Sequence, residues 1–194
     1  MFKSNPYGMF SMPDIETERL LLRRMTMKDA QDVYDYSRDP EVAQHVLWSA
    51  QKHVSEAKEY IRYMNRCYRD DLPSSWGVID KASGRLVGTI GYMDHSEDNA
   101  SVEVGYSLAK WVWGRGLATE ALRAVIDYTF ESMDVNRIEA QHEIDNPASG
   151  RVMQKCGMTK EGVLRQRLYN MGKYVDVALY SILRADNRPW ASKD

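Results

Sequence analysis

Trp113-Gly-Arg-Gly-Leu-Ala-Thr119 stands between a β-rich run and the most regular amphipathic pattern in the chain. From Gly116 to Glu131, Leu117, Ala121, Ala124 and Tyr128 form an apolar stripe at helical spacing, with Glu120, Arg123 and Asp127 on a polar one. Two glycines one residue apart let backbone approach a ligand with no Cβ in the way. The free N–H groups and the dipole at the start of the helix favour an anion in the same space. Arg115 adds a full positive charge between the glycines. This chemistry suits a pyrophosphate, although by itself the motif also reads as a tight glycine turn ahead of a helix.

Upstream, Trp76–Ile79, Leu86–Tyr92 and Val102–Leu108 are β-rich runs separated by turn clusters at Lys81–Gly84 and Asp94–Asn99, a spacing that predicts an antiparallel meander. Downstream, Arg137–Ile144 reads as a strand. Asn146 is then an N-cap with Pro147 at the first helical position. That helix carries Ala148, Val152, Met153 and Cys156 inward and stops at Gly157. Two strands, about 158–169 and 174–184, follow. Near the start, Arg19–Arg23 reads as a strand. Thr26 and Asp29 form a capping-box pattern for a helix that ends before Asp39-Pro40. A second helix, Ser55–Tyr68, shows Ala57, Tyr60, Ile61, Met64 and Tyr68 at helical spacing. The order β-α-α-β-β-β-α-β-α-β-β predicts an α/β (α+β) domain around one mixed sheet. Residues 15–187 form that domain, 1–14 a loose leader and 188–194 a tail.

With 194 residues the chain is one domain's worth of sequence, and it buries enough surface to need neither disulfide nor metal. Twenty-six basic against 28 acidic residues give a net charge of −2, without the basic imbalance of a nucleic-acid binder. Cys67 and Cys156 fall on apolar helix faces and read as small hydrophobes. His45, His53, His95 and His142 have no paired ligand spacing, so no metal is expected. Signal-peptide and membrane-length apolar runs are absent, which makes the cytoplasm the expected compartment and a membrane an unexpected partner.

A P-loop is excluded because no Gly-Lys-Ser/Thr occurs. A dinucleotide fingerprint fits poorly, with Thr119 in place of its third glycine and a meander strand ahead of it. The combination instead resembles the GNAT superfamily of acetyl-CoA-dependent N-acyltransferases, and within it the RimJ/RimL-type protein N-terminal acetyltransferases. The strings that carry the resemblance are Thr17-Glu-Arg-Leu20 with Leu22-Arg23, Glu103-Val-Gly-Tyr106, Trp113–Ala121, and Asn146-Pro-Ala-Ser149 continuing through Arg151–Gly157. Four strings in the right order, each on its expected element, span about Thr17 to Leu183.

The resemblance implies a sheet splayed open between its central strands, with acetyl-CoA in the gap. Gly114, Arg115, Gly116, Leu117, Ala118 and Thr119 would form the pyrophosphate loop. Tyr106, Ser107 and Leu108 would pair with the pantetheine arm, and Asn146 and Ser149 would reach the pantetheine or the sulfur. Acetyl transfer to an amine requires removal of a proton, stabilisation of the carbonyl oxygen and an acid for the departing thiolate. Glu103 is the base candidate, through burial and in the manner of similar enzymes. Ser149 is the candidate donor to sulfur, although a serine is also ordinary at the third position of a capped helix. Backbone N–H groups near Val104–Tyr106 are candidate oxyanion donors.

The chain departs from the family in two ways that matter. Met153 replaces the tyrosine that many relatives use as an acid, which removes that mechanism at this position. Trp113 replaces the polar residue that usually opens the loop, with little consequence for a loop that works through backbone. Met158 stands where phenylalanine is common, a volume-conserving swap.

The segment around His45 to His53 is expected to wall the acceptor side. Trp48, Tyr60 and Tyr63 are candidates to line it, against a reading of all three as core. Asp94, Glu97 and Asp98 cluster where they could attract a cationic amine, and read in preference as an ordinary solvated turn. The resemblance points to a protein N-terminal amine as acceptor, such as that of a ribosomal protein, and allows a homodimer. A small-molecule amine, such as a polyamine, amino acid or antibiotic, is the alternative acceptor. A catalytically silent coenzyme A-binding module is the alternative of another class.

Overall fold

A computed structural model describes residues 9–191. Eight strands form one sheet: β1 (Ile15–Glu16), β2 (Leu20–Arg23), β3 (Ser75–Asp80), β4 (Arg85–Ser96), β5 (Ser101–Leu108), β6 (Arg137–Glu143), β7 (Thr159–Asn170) and β8 (Lys173–Leu183). Their spatial order is β1-β2-β3-β4-β5-β6-β8-β7. Every pairing is antiparallel except β5 with β6. The helices are α1 (Ala30–Ser37), α2 (Pro40–Ala43), α3 (Val54–Arg69), α4 (Leu117–Ser132) and α5 (Pro147–Lys155). The meander is β3-β4-β5; the first turn falls at Lys81–Gly84 as expected, whereas β4 runs on through Asp94 to Ser96, so the second turn is 97–100 rather than Asp94–Asn99.

Side-chain alternation along β4 assigns the helices to the two faces. Thr89 is 3.4 Å from the Tyr36 hydroxyl of α1, whereas Tyr92, three residues on, is 2.7 Å from Thr129 of α4. An odd offset puts α1 and α4 on opposite faces. Val104 and Tyr106 of β5 pair with Tyr92 and Ile90 and share the α4 face, while Glu103, Gly105 and Ser107 share the α1 face. The apolar stripe of α4 is buried on its side through Leu117, Ala121, Leu122, Val125, Ile126 and Phe130. On the other side Ile61 and Ala57 of α3 and Val33 of α1 are fully buried.

Several expectations are refined. The Thr26–Asp29 box forms, with the Thr26 N–H donating to Asp29 at 2.7 Å, but it opens a 3-10 turn, Met27–Asp29, before α1 begins. The short helix α2 was not foreseen, although Asp39 caps it through the Glu41 N–H and Pro40 occupies its first position. The loose leader is corrected where it can be seen. Phe10 and Met12 are buried, and the Met9 and Phe10 N–H groups donate to Asp71 at 2.8 Å each. The tail is docked as far as Ala191 because Trp190 packs on Gly157 and donates to Asp127, which also pairs with Arg188 at 2.7 Å. Residues 1–8 and 192–194 lie outside the described residues.

Candidate active site

The parallel pairing of β5 with β6 covers only Ser101–Glu103 against Arg137–Glu139. Beyond it β5 continues to Leu108, held by β4, and β6 continues to Glu143, held by β8. The two strands therefore diverge, and the backbone groups of β5 that point towards β6 beyond Glu103 have no strand opposite them. A cleft of about 420 Å³ opens there. Its walls are Tyr106–Leu108 of β5, the start of α4 with the loop before it, the first turns of α5, and residues 41–46 of α2 and the following turn.

The loop before α4 adopts the shape its glycines permit. Gly114 and Gly116 have φ of +74° and +79°, where a side chain is strained. Gly116 is the N-cap and offers no side chain, and the first helical bond is Glu120 N–H to the Gly116 carbonyl at 3.1 Å. The N–H groups of Leu117, Ala118 and Thr119 thus lack a protein acceptor among the described residues, and all three residues line the cleft. A Cβ built on Gly114 meets nothing within 4 Å, so the space beside it is open. These features fit a phosphate-bearing ligand.

The loop is framed from outside the cleft. Burial pushes the Glu120 carboxyl up, but donors from the Thr17 hydroxyl, the Arg19 N–H and the Arg19 guanidinium outweigh it, leaving the carboxyl below its ordinary value. Arg19 also donates to the Arg115 carbonyl at 2.9 Å. The Thr17–Leu20 string is therefore a clamp on the loop. Trp113 braces the other end, its indole N–H donating to the Leu108 carbonyl at 2.7 Å. The Arg115 side chain does not line the cleft. Its guanidinium lies 3.9 Å from the buried Asp80 carboxylate, and the expected charge between the glycines is directed there.

Asn146 caps α5 by accepting from the Ser149 N–H at 3.3 Å, and both residues line the cleft. The Tyr106 hydroxyl donates to the Ser149 carbonyl at 3.0 Å, so the Ser149 hydroxyl, 2.9 Å away, is the donor to the tyrosine oxygen. Met153 is buried in the core. Glu103 stands at the last β5 position paired with β6, below the cleft rather than on its wall. Burial, helped by Glu139 and Asp94, raises its carboxyl above the ordinary value, and the Gln141 amide donating at 2.9 Å opposes the rise. Glu103 shares the α1 face, whereas Tyr106 and Ser149 lie towards the α4 face, so the two candidate groups approach the opening from opposite sides.

A family model described as an acetyltransferase (GNAT) domain matches residues 19–159. The chain belongs to the GNAT acetyltransferase family. The uncharacterized N-acetyltransferase p20 of Bacillus licheniformis is 34% identical over 175 residues, covering 90% of this chain and 98% of its own. The ribosomal protein uS5-alanine N-acetyltransferase of Escherichia coli is 24% identical over 195 residues, covering 90% of this chain and 93% of its own. Among solved structures, RimL, a ribosomal L7/L12 alpha-N-protein acetyltransferase in complex with coenzyme A, matches with a TM-score of 0.80 at 19% identity, covering 90% of this chain and 100% of its own. This GNAT domain is an N-acetyltransferase, and its sheet is the mixed, splayed one that the resemblance implied.

Of the residues expected in a GNAT site, Tyr106, Ser107, Leu108, Gly114, Gly116–Thr119, Asn146 and Ser149 meet on one cleft, while Glu103 and the Arg115 side chain stand off it. On the expected acceptor wall, Trp48 packs edge-on against Tyr36 and Tyr60 packs on the core. Tyr63 is 52% exposed, and none of the three lines the cleft. His45 does line it. So do Arg151 and Lys155, whose positions one and two turns into α5 mark them as facing the same way as Asn146 and Ala148. Both cysteines are buried, and the Cys156 thiol is pushed up to about 12 by burial. No group of metal-ligating side chains occurs among the described residues, and no described helix is long and apolar enough to cross a membrane.

Proposed function

We propose that this GNAT chain transfers an acetyl group from acetyl-CoA to a primary amine, the acceptor being a protein N-terminus. The observation that carries the reading is the divergence of β5 from β6, with the uncapped N-terminus of α4 at its mouth. When bound, acetyl-CoA supplies an acetyl group activated as a thioester. The N–H groups of Leu117–Thr119 and the open backbone at Gly114 and Gly116 hold the pyrophosphate. The unpaired edge of β5 at Tyr106–Leu108 lies along the pantetheine arm. Asn146 and Ser149 stand at its inner end, where the serine hydroxyl turns from Tyr106 to the sulfur.

Glu103, approaching from the α1 face, takes a proton from the incoming ammonium, directly or through a water. Its raised pKa makes it a stronger base than an exposed carboxylate. Backbone N–H groups of β5 beyond Glu103 are the donors for the carbonyl oxygen. The coenzyme A in the complex of RimL, an alpha-N-protein acetyltransferase, and the name of the Escherichia coli relative, a ribosomal protein uS5-alanine N-acetyltransferase, support the choice of donor and acceptor.

The test is thiol release from acetyl-CoA over a panel of peptides with N-terminal Ala, Ser or Met, beside polyamines and amino acids. Turnover confined to the peptides supports the reading. Turnover confined to the small amines moves the acceptor to that class, and tight binding with no turnover on any acceptor contradicts acetyl transfer.

A further inference from the structure

His45 and Glu143, 98 residues apart in sequence, meet where the turn after α2 reaches the end of β6. His45 lines the cleft from the turn after α2, and its Nδ1 lies 2.9 Å from Glu143 Oε2. Glu143 is the last residue of β6 and is buried. Its other oxygen accepts from the Asn170 side-chain amide, which also donates to the Gln44 carbonyl at 3.2 Å. Because a carboxylate only accepts, Nδ1 of His45 must carry the hydrogen. The lone pair is then on Nε2, which has no partner among the described residues. An imidazole held by a buried carboxylate, on a residue that lines the cleft and with its second nitrogen free of any hydrogen-bond partner among the described residues, is the arrangement that activates a base.

We infer that His45, held by Glu143, is a further proton-transfer residue of this site. The inference rests on the acetyl-transfer reading above. Nε2 takes one proton from the acceptor ammonium, and Glu143 balances the charge of the imidazolium. The amine lone pair forms the C–N bond to the acetyl carbon as the C–S bond breaks, and the sulfur leaves with that electron pair. The imidazolium returns its proton to the sulfur, giving a free thiol and a neutral ring. The second ammonium proton passes to Glu103 and from there to solvent. This route supplies the acid that Met153 cannot.

The deciding variant is His45→Asn, whose side-chain amide keeps a donor for Glu143 and deletes only Nε2. With acetyl-CoA and an N-terminal Ser peptide, kcat/KM should fall by about 100-fold or more, while coenzyme A binding by calorimetry and thermal unfolding match the wild type. Independently of turnover, the ¹⁵N spectrum of the wild-type imidazole should report hydrogen on Nδ1 and a lone pair on Nε2. An active wild type with a His45→Asn variant inside about threefold of it, or a ring carrying its hydrogen on Nε2 alone, overturns the inference and leaves acetyl transfer standing. A wild type that binds coenzyme A and releases no thiol with any amine overturns both. Should His45→Asn fail to fold, His45→Gln read against the same spectrum and the same assay decides between these outcomes.

Discussion

The hydroxyls of Tyr106 and Ser149 lie 2.9 Å apart and join the open edge of β5 to the first turn of α5. The tyrosine donates to the Ser149 carbonyl, which leaves the serine hydroxyl as the donor to the tyrosine oxygen. Burial raises the Tyr106 pKa, which keeps the hydroxyl protonated through the working range. Tyr106→Phe removes two hydrogen bonds from a partly buried pair and should cost about 1–2 kcal/mol of stability. A double-mutant cycle with Ser149→Ala, read by chemical denaturation, should give a coupling of at least about 0.5 kcal/mol. Strict additivity would mean that the two hydroxyls do not interact in solution.

Glu103 yields a prediction with a definite sign. Its folded pKa lies above the reference value of 4.5. Below that reference value the carboxyl is protonated in both the folded and unfolded states and costs nothing. As pH rises through the folded value, the charged form must be held against burial and the neighbouring Glu139 and Asp94, and stability is lost. Glu103→Gln should therefore equal or exceed the wild type in unfolding free energy at pH 7, with the advantage fading in acid. Its acetyl-transfer rate should drop by about 100-fold and lose the acid limb of the pH profile. An unchanged profile from pH 5 to 9 contradicts the base role.

Glu120 has the opposite sign. Its donors from Thr17 and Arg19 hold the folded pKa below the ordinary value of 4.5. Their stabilisation is present above the unfolded pKa and disappears as pH falls through the folded one. Glu120→Ala should cost about 1–2 kcal/mol at pH 7, a figure kept small because Arg19 is 44% exposed. It should also weaken coenzyme A binding, because the same clamp fixes the loop carrying Gly114 and Gly116. Denaturation at pH 7 and pH 3, together with calorimetry, checks both parts.

Neither cysteine should react quickly in the native protein. Cys67 and Cys156 are buried, and the Cys156 thiol is shifted far from the thiolate form. A chromogenic disulfide reagent at pH 8 should therefore find no fast thiol until denaturant is added. A thiol-release assay then has a low background. Stoichiometric labelling within seconds would contradict the burial.

Local chemistry made much of this fold readable. Asn146-Pro147 and Gly157 bracket α5, and Gly114 and Gly116 announce the turn into α4, because caps and left-handed residues act over one or two positions. The features hidden in the sequence are those set by distant partners. Nothing near Glu103 says that β6 stops pairing with β5 at that residue, so its position below the cleft rather than on it could not be read. Arg115 turns towards Asp80, which arrives from β3. Of the aromatic residues offered as an acceptor wall, with core the favoured reading, Trp48 and Tyr60 pack on the core, whereas Tyr63 is exposed and does neither. His45 and Glu143 are each unremarkable in sequence, and only the fold joins them. The docking of Phe10, Met12 and Trp190 was likewise obscured by the polar, proline-containing stretches around them.

The most direct test of the cofactor seat is calorimetric titration of acetyl-CoA into the wild type and into Gly116→Val. At φ +79° a β-branched side chain costs at least roughly 1–2 kcal/mol and distorts the turn that presents the α4 N–H groups. Saturable one-to-one binding by the wild type, weakened about tenfold or more in a folded Gly116→Val, is the predicted result. Equal affinity in the two proteins, or no binding by the wild type, would contradict the assignment of the cleft between β5 and β6 as the acetyl-CoA site.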